Sequence, residues 1–359
     1  MEHIHADAVV IGAGPAGCAA ALGLVGSGAK VVLCERGLAP SFKPGEIMEP
    51  SVREPLSELG ILAGFERLGF PPLAGNISIW DDETVAERSG TLSADGGGIL
   101  IERPAFETWL LEEAQKAGVV VLRGGSVADA EEARGSWTVV WKSGVQPTQL
   151  TAPFLIEACG RAAGIANQGA RQQHDRLVAF LTYGSTAAGP QDQSLLIEAA
   201  EEGWWYAAAL PKSRAVVAYL TDADLLPRAA AARTEFINLQ LGRSKLVRFR
   251  AEAFIHKDDL RGFPASSGIR EALCGHSWVA VGDAAATYDP LAGFGVAVAL
   301  AKGAAAARLI ASSSDLALAA ATYADAERTT FAEYLDERRR TYARAARTRV
   351  TSFWSRRLR

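Results

Sequence analysis

Residues 8–35 read AVVIGAGPAGCAAALGLVGSGAKVVLCE, and this stretch decides the fold. Short apolar runs at 8–11 and 30–35 are typical of buried parallel strands. Between them, small and apolar residues recur at helical spacing over 14–27, and glycines stand where the helix should end. A strand, a helix and a second strand in this order predict the right-handed crossover of a doubly wound α/β sheet.

The turn between the first strand and the helix carries the pattern GxGxxG at Gly12, Gly14 and Gly17, and Glu35 closes the second strand. Gly12 permits a tight turn, Gly14 lets a pyrophosphate approach the backbone, and Gly17 lets the helix pack closely on the strand. The N–H groups at the helix start favour that anion, and Glu35 is expected to accept hydrogen bonds from ribose hydroxyls. The pattern therefore predicts a dinucleotide site, whose further expected contacts are Pro15, Ala16 and Arg36.

A second segment far downstream distinguishes FAD from NAD, which share an ADP half. Residues 278–281 predict a buried strand that leads to an aspartate, and residues 288–295 (YDPLAGFG) lead into a helix beginning near Val296. The aspartate can bind a ribityl chain, and backbone amides at the positive end of that helix can stabilise negative charge on a flavin. We therefore expect FAD. The expected contacts are Asp283, Pro290, Gly293, Phe294 and Gly295.

The remaining chain follows the pattern of an α/β protein with a second sheet. Residues 50–62 and 104–117 predict helices, and residues 119–123 and 137–142 predict strands. From 177 to 221 strand follows strand with turn signals between them, which predicts an inserted antiparallel sheet. After residue 296 an alanine-rich region predicts long helices.

These elements suggest three parts. The FAD-binding domain is expected over residues 1–70, 95–165 and 270–315. An antiparallel-sheet substrate domain is expected over residues 71–94 and 166–269, and an arginine-rich helical segment over 316–359.

Composition narrows the class of protein. The chain has 359 residues, 49% of them apolar, so it can bury a large core. Residues 1–7 lack an apolar signal region, and residues 296–311 are interrupted by Lys302 and Arg308, so we expect a cytoplasmic protein with no membrane partner. The four cysteines are widely separated, which argues against a disulfide framework or a metal site. They are Cys18, Cys34, Cys159 and Cys274.

Charge is distributed unevenly along the chain. The net charge is −4, yet residues 338–359 hold nine arginines and no acidic residue, so residues 1–337 carry −13. Two interpretations of this basic segment stay open: a solvated face of a terminal helix, or a docking surface for an acidic partner. A nucleic-acid partner is not expected.

Four segments resemble one superfamily. The string GDAAATYDPLAGFG (282–295) is similar to the GD…P…G segment of flavoproteins with the p-hydroxybenzoate hydroxylase fold, and LIEACGRAAG (155–164) resembles their DATGR segment, with Glu157 and Cys159 in place of Asp and Thr. Arg103, ahead of a helix, is similar to an arginine that contacts FAD in this superfamily. The resemblance also implies FAD contacts at Val127 and Gly160.

Within this superfamily, three features resemble one branch: Gly45-Glu46 followed by Pro50, the string Gly203-Trp204-Trp205-Tyr206, and Phe353-Trp354-Ser355-Arg356-Arg357. These three features are similar to features of the maturation flavoproteins of tryptophylquinone-containing lysine and glycine oxidases. That family is related to the flavin-dependent tryptophan halogenases. The resemblance implies hydroxylation of a tryptophan side chain in a precursor quinoprotein through a flavin C4a-hydroperoxide. It implies O2 as co-substrate and electrons from NAD(P)H or from a partner flavin reductase.

The resemblance also suggests site residues. Glu46 is the candidate for proton handling close to the flavin, or else a structural hydrogen-bond partner. On a strand Trp204 and Tyr206 share one side and Trp205 points to the other, so these aromatics either line the substrate pocket or belong to an ordinary core. We expect Glu46 and Tyr206 to be catalytic and Trp204 and Trp205 to contribute to the pocket.

Two alternatives remain open. The first is a hydroxylase or halogenase of a free indole or other aromatic metabolite. The halogenase motif WxWxIP would place tryptophans at Tyr206 and Ala208, and no lysine occurs between Lys43 and Lys116 to steer hypohalous acid, which disfavours halogenation. The second is a flavin-binding partner protein without catalysis of its own.

Overall fold

The computed structural model describes residues 2–39, 42–90, 97–161, 164–165, 169–186 and 193–358. Its α-helices are α1 (Pro15–Gly26), α2 (Arg53–Glu58), α3 (Leu62–Glu66), α4 (Arg103–Lys116), α5 (Ala230–Arg243), α6 (Val247–Glu252), α7 (Gly295–Ser312), α8 (Leu316–Ala346) and α9 (Ser352–Arg356). Its strands are β1 (Glu2–His5), β2 (Ala8–Ile11), β3 (Val31–Glu35), β4 (Ile47–Met48), β5 (Gly75–Ile79), β6 (Ala86–Ser89), β7 (Ile99–Leu100), β8 (Val120–Arg123), β9 (Ser126–Ala133), β10 (Ser136–Lys142), β11 (Thr148–Ala152), β12 (Phe154–Glu157), β13 (Arg171–Gln173), β14 (Leu177–Thr186), β15 (Ser194–Ala200), β16 (Gly203–Leu210), β17 (Arg214–Asp222), β18 (Phe254–Lys257), β19 (Arg261–Pro264), β20 (Gly268–Arg270), β21 (Cys274–Gly275), β22 (Trp278–Ala280) and β23 (Ala286–Thr287).

The first sheet has the strand order β21-β22-β12-β2-β3-β8 and is parallel from β22 to β8. Every residue of β2 is buried, as expected for a central parallel strand. Helices α1, α4 and α7 share a hydrophobic core with one face. The other face packs against a sheet of order β1-β11-β10-β9. The mixed α/β fold and the expected β2-α1-β3 crossover are confirmed.

The second sheet, here called the substrate sheet, has the order β18-β14-β17-β16-β15-β5-β6, and β19 also pairs with β14. Its centre is antiparallel, as predicted for 177–221. The pairing of β15 with β5 is parallel, so the whole sheet is mixed although the strands between residues 177 and 221 are antiparallel. β5 comes from an earlier part of the chain and is not joined to β15 by a hairpin, as a parallel pair requires.

The helix predicted over 50–62 is broken. A 3-10 turn, Pro50–Val52, leads into α2, and a separate α3 follows. Gly60 causes the break, because its φ of +72° is left-handed and ends a helix. The apolar spacing continues across the break, which is why periodicity alone predicted one helix.

Helix α7 is long and apolar enough to cross a membrane by composition, with half of that stretch buried in the protein. It packs on α1 so closely that a Cβ on Gly303 would lie 2.1 Å from the Ala16 carbonyl oxygen. Its apolar character is therefore explained by its place in the core.

The arginine-rich segment folds back onto the chain. Arg338 pairs with Asp175, and Arg344 pairs with Asp81. Arg357 forms a buried pair with Asp222 on the substrate sheet. The two interpretations of this segment as a solvated face or a partner surface both omitted this internal role, because the aspartates are far away in sequence.

Candidate flavin and substrate site

The three glycines of the GxGxxG turn have different surroundings. A Cβ on Gly12 would lie 2.3 Å from the Ala158 carbonyl oxygen, and one on Gly17 would lie 1.8 Å from the Gly12 carbonyl oxygen. Apart from its neighbours in the chain, a Cβ on Gly14 would meet none of the described residues within 4 Å. Gly12 and Gly17 are therefore required by packing within the protein, whereas Gly14 faces open space in front of the helix.

The start of α1 offers free donors toward that space. The N-cap residue is Gly14, which has no side chain that could cap the helix, and Pro15 stands at the first helical position. The N–H groups of the first turn therefore lack helical partners and carry the positive end of the helix dipole. This arrangement suits a phosphate group, as the sequence predicted.

Glu35 lies beside the same turn. Its carboxylate accepts hydrogen bonds from the Ala13 N–H at 2.8 Å and from the Gly37 N–H at 2.9 Å. Each carboxylate oxygen can accept further hydrogen bonds, so the group remains able to bind a ribose hydroxyl. Arg36 is exposed next to it.

Asp283 lies close to the glycine-rich turn although it is far away in sequence. The preceding Gly282 has a φ of +58°, and a Cβ on it would lie 2.7 Å from the Ala16 Cβ. The Asp283 side chain is about half exposed, and its Oδ2 lies 3.5 Å from the Arg161 Nε. The two segments predicted to bind the two halves of FAD therefore meet in space.

The turn before α7 is tightly organised. The Asp289 side chain accepts a hydrogen bond from the Leu291 N–H at 2.9 Å and so holds the 3-10 turn Pro290–Ala292. Gly293 follows with a left-handed φ of +70°. Phe294 is exposed, and α7 begins at Gly295. The amides of residues 293–295 therefore stand at the positive end of α7, as expected.

Glu49 borders this turn, because a Cβ on Gly293 would lie 3.5 Å from the Glu49 Oε1. Burial raises the pKa of the Glu49 carboxyl. The segment that contains Glu46 and Glu49 therefore passes directly beside the turn before α7.

Arg103 anchors that segment. Its Nη1 donates to the Pro44 carbonyl oxygen at 3.2 Å, and its Nη2 donates to the Glu107 carboxylate at 2.6 Å. Lys43 also pairs with Glu107, at 2.8 Å. The Arg103 Nε is buried and has no hydrogen-bond partner in the described part of the chain, so one donor remains for an acceptor such as FAD.

Glu46 lies between two tyrosines of the substrate sheet. The Tyr206 hydroxyl donates to Glu46 Oε2 at 2.9 Å, and the Tyr183 hydroxyl donates to Glu46 Oε1. Glu46 is buried. Burial, followed by the Glu46 charge, raises the pKa of both tyrosines, so their hydroxyls stay protonated and serve as donors.

This cluster is contiguous with the turn before α7. Tyr183, Tyr206 and Ile47 belong to one hydrophobic cluster, and Leu291 of the turn packs against it. The Glu46 carboxylate is thus a buried acidic group on the side of the substrate sheet that faces the predicted flavin site.

Trp204 and Trp205 lie on opposite faces of the substrate sheet. Trp204 belongs to the cluster that contains Tyr183 and Tyr206, and its Nε1 donates to the Tyr342 hydroxyl at 2.9 Å. Trp205 packs on Tyr219 on the other face, under α5 and α6. The structure therefore brings Trp204, but not Trp205, to the face that carries Glu46.

The segment that resembles DATGR runs beside the glycine-rich turn. The Ala158 N–H donates to the Ile11 carbonyl oxygen, and Gly160 adopts a left-handed φ of +67°. Glu157, which replaces the usual aspartate, forms a buried ion pair with Arg270 at 2.6 Å. Val127 is half-buried on β9.

The cysteines near this segment are poor nucleophiles. Burial raises the pKa of the Cys34 and Cys159 thiols to about 12. A thiol with so high a pKa stays protonated at neutral pH and is unreactive. Among the described residues no group of three or more His, Cys, Asp and Glu side chains could hold a metal ion.

The site as a whole fits FAD. Three features suit an anionic dinucleotide: the open space at Gly14, the backbone amides at the start of α1, and the Arg103 Nε, which has no partner among the described residues. Residues 5–348 match the profile of the family described as FAD binding domain. The chain belongs to the FAD binding domain family.

Curated relatives of this flavoprotein support an oxidoreductase. LodB of Marinomonas mediterranea, named as an FAD-dependent oxidoreductase, is 28% identical and covers 98% of this chain and 96% of its own. Tryptophan 2-halogenase of Chondromyces crocatus is 27% identical over 81% of this chain and 58% of its own. The chain is therefore an FAD-dependent oxidoreductase of a family that includes hydroxylases and halogenases.

Solved structures with this fold include both classes. The peptidyl tryptophan dihydroxylase QhpG, essential for tryptophylquinone cofactor biogenesis, aligns with a TM-score of 0.78 at 25% identity over 99% of this chain and 79% of its own. The flavin-dependent halogenase CmlS aligns with a TM-score of 0.85 at 21% identity over 99% of this chain and 68% of its own, which shows a common fold. The sequence resemblance to these flavoproteins is confirmed.

Sequence reasoning missed Tyr183. It lies on β14, whereas Glu46 precedes β4, and the two are 137 residues apart. A tyrosine on an alternating strand has the same signature as any half-buried aromatic residue. Only the packing of the substrate sheet on the segment that carries Glu46 identifies its role.

Proposed function

We propose that this flavoprotein is a monooxygenase that hydroxylates a tryptophan side chain of a precursor polypeptide during tryptophylquinone biogenesis. The names of QhpG and LodB support this proposal, since one is a peptidyl tryptophan dihydroxylase and the other an FAD-dependent oxidoreductase. We assign the substrate and the reaction to this chain by analogy with QhpG and LodB.

The observation that carries the proposal is the buried Glu46 carboxylate held by two tyrosine hydroxyls. Hydroxylation replaces a ring C–H bond with C–O, so the ring carbon must lose a proton. A buried carboxylate beside the predicted flavin site is a suitable acceptor for that proton.

The overall reaction has a simple balance. One atom of O2 enters the ring C–H bond, and the other leaves as water. NAD(P)H, directly or through a partner flavin reductase, supplies two electrons and one proton as a hydride, and solvent supplies the second proton. Bound FAD supplies the activation of O2. The protein residues bind the cofactor, orient the indole ring and exclude water.

In this scheme Glu46 takes the ring proton on one carboxylate oxygen. Tyr206 and Tyr183 orient that carboxylate, and their high pKa keeps them neutral donors throughout. Trp204 and its aromatic neighbours form an apolar wall that limits water on the same face.

The experiment is co-expression with a candidate quinoprotein precursor, followed by mass spectrometry of its tryptophan peptide. We expect addition of one or two oxygen atoms that requires this chain. The Glu46→Gln variant, which keeps the shape of the side chain, should lose most of the product while it retains FAD. No mass change with the wild-type chain, in the presence of NADH, NADPH or a flavin reductase, would overturn the proposal.

The same assay distinguishes the alternatives. Turnover of free tryptophan or indole, with bromide or without it, would indicate a small-molecule enzyme, as the similarity to tryptophan 2-halogenase suggests. The sequence argues against halogenation because residues 44–115 contain no lysine. Reduced flavin that never consumes O2 productively, together with binding to a precursor, would indicate a non-catalytic partner protein.

A further inference from the structure

A chain of hydrogen bonds connects the substrate sheet to the turn before α7. The Trp204 Nε1 donates to the Tyr342 hydroxyl at 2.9 Å, and that hydroxyl donates to Asp289 Oδ2 at 2.7 Å. The other oxygen of Asp289 accepts from the Leu291 N–H at 2.9 Å. Tyr342 on α8 is therefore the link between a tryptophan of β16 and the residue that holds the turn.

All three side chains of this link are buried: Trp204 and Asp289 are at most 5% exposed and Tyr342 is fully buried. Water cannot replace a missing partner there, so each hydrogen bond matters more than it would at the surface. Within the described ranges, the Tyr342 hydroxyl forms its hydrogen bonds with these two residues, one as donor and one as acceptor.

Helix α8 holds the backbone of the same residue as well. The Asp289 N–H donates to the Tyr334 hydroxyl at 2.7 Å, and that hydroxyl is 2.7 Å from the Ser267 hydroxyl. Arg338 donates to Ser267 Oγ and pairs with Asp175. Residues on one face of α8 thus form hydrogen bonds with both the main chain and the side chain of Asp289.

We propose that Tyr342 is a positioning residue, which fixes the turn at residues 289–293 for FAD and transmits displacement of Trp204 to that turn. The Asp289 carboxylate caps the turn, so the position of the backbone amides of residues 293–295 depends on the position of Asp289. Asp289 is placed in turn by Tyr342. The proposal rests on FAD binding by this family and is independent of the substrate that is oxidised.

The experiment compares two Tyr→Phe variants on the same helix. Tyr342→Phe removes the hydroxyl of the link. Tyr323→Phe is a matched control, because the Tyr323 hydroxyl is also buried yet has no hydrogen-bond partner among the described residues. For each purified variant, the FAD dissociation constant and the visible absorption spectrum of bound flavin are measured.

We expect Tyr342→Phe to weaken FAD binding roughly tenfold and to alter the flavin spectrum, as loss of a hydrogen bond to a buried carboxylate requires. Tyr323→Phe should bind FAD like the wild type. Trp204→Phe, which keeps an aromatic ring and removes the indole N–H, should shift the flavin spectrum in the same direction by a smaller amount.

Two results would overturn the proposal. One is equal FAD affinity and equal spectra for Tyr342→Phe and Tyr323→Phe. The other is a loss of thermal stability in Tyr342→Phe with unchanged FAD affinity of the folded protein, because that pattern indicates a structural hydrogen bond only. Neither result depends on whether a precursor tryptophan is hydroxylated, so the proposed function is tested separately.

Discussion

The Tyr206 hydroxyl donates a 2.9 Å hydrogen bond to Glu46 across 160 residues of sequence. The contact joins the centre of the substrate sheet to the segment that borders the turn before α7. Tyr183 holds the second carboxylate oxygen, so Glu46 has a fixed orientation in a buried environment. The proposed function assigns this buried carboxylate the role of proton acceptor.

Replacement of Glu46 by glutamine should abolish most turnover with little effect on folding. The amide keeps the shape of the side chain but cannot take a proton, and proton transfer by a positioned side chain contributes about 10²–10⁴-fold to rate. We expect a decrease in kcat of about 100-fold or more, measured by product formation under saturating reductant and O2.

Glu198 supplies the control for that measurement. It is also buried, but it accepts hydrogen bonds from Ser244 and from backbone amides at the start of α6 on the opposite face of the sheet. Glu198→Gln should keep its turnover at a temperature where both variants are folded. Equal rates for the two variants would show that Glu46 has no role in the reaction.

The local elements of this fold were predictable because they have local causes. Short-range spacing predicted the strand of residues 8–11, the glycine-rich turn and the helix after it. The structure contains these elements. Strand alternation also correctly separated Trp205 from Trp204 and Tyr206. Alternation could not say which face carries Glu46, because that depends on a contact between distant segments.

The residues of the site that the sequence did not predict depend on contacts between distant segments. Tyr183 joins Glu46, and Tyr342 joins Asp289, through packing of separate elements. Nor did the sequence indicate the aspartates that pair with the arginine-rich segment, since no pattern relates Asp81, Asp175 and Asp222 to residues 338–357. Periodicity describes a single element and carries no information on its partners.

Gly14→Ala should separate FAD binding from folding. Gly14 has φ −70° and ψ 178°, which alanine adopts freely. Beyond its chain neighbours, the added methyl group would meet no atom of the described residues within 4 Å. That methyl group would instead occupy the open space in front of α1, so we expect folded protein with FAD affinity reduced by at least about tenfold. Flavin fluorescence titration and circular dichroism would measure the two properties.

Gly26→Ala is the matched control. Its methyl group would also meet none of the described residues within 4 Å apart from its own helix and chain neighbours, but it lies at the far end of α1. It should bind FAD normally. Gly17→Ala should behave differently from both, since its methyl group would lie 1.8 Å from the Gly12 carbonyl oxygen and should destabilise the fold. Normal FAD affinity in Gly14→Ala would contradict the placement of the pyrophosphate.

The stability of the protein should fall steeply at alkaline pH. All seven tyrosines have a raised pKa, mainly through burial. The unfolded chain therefore loses tyrosine protons near pH 10 while the folded protein keeps them, so stability is complete below about pH 10 and is lost above it. Chemical denaturation at a series of pH values should show this decline, and phenolate absorbance should rise only as the chain unfolds. Phenolate formation near pH 10 in folded protein would contradict it.

The buried pair of Arg357 and Asp222 should stabilise the attachment of the C-terminal segment to the substrate sheet. Arg357 donates to both Asp222 oxygens, at 2.7 and 3.2 Å, and both side chains are at most 3% exposed. Arg357→Met leaves Asp222 with Arg356, at 3.2 Å, as its arginine partner in the described part of the chain. Loss of both contacts to Arg357 should lower the free energy of unfolding by about 1.5–3 kcal/mol. Arg340→Met is the control, because its pair with Glu337 is largely exposed and its removal should have little effect. Urea denaturation of the two variants measures the difference, and equal midpoints would show that the buried pair does not fasten the segment.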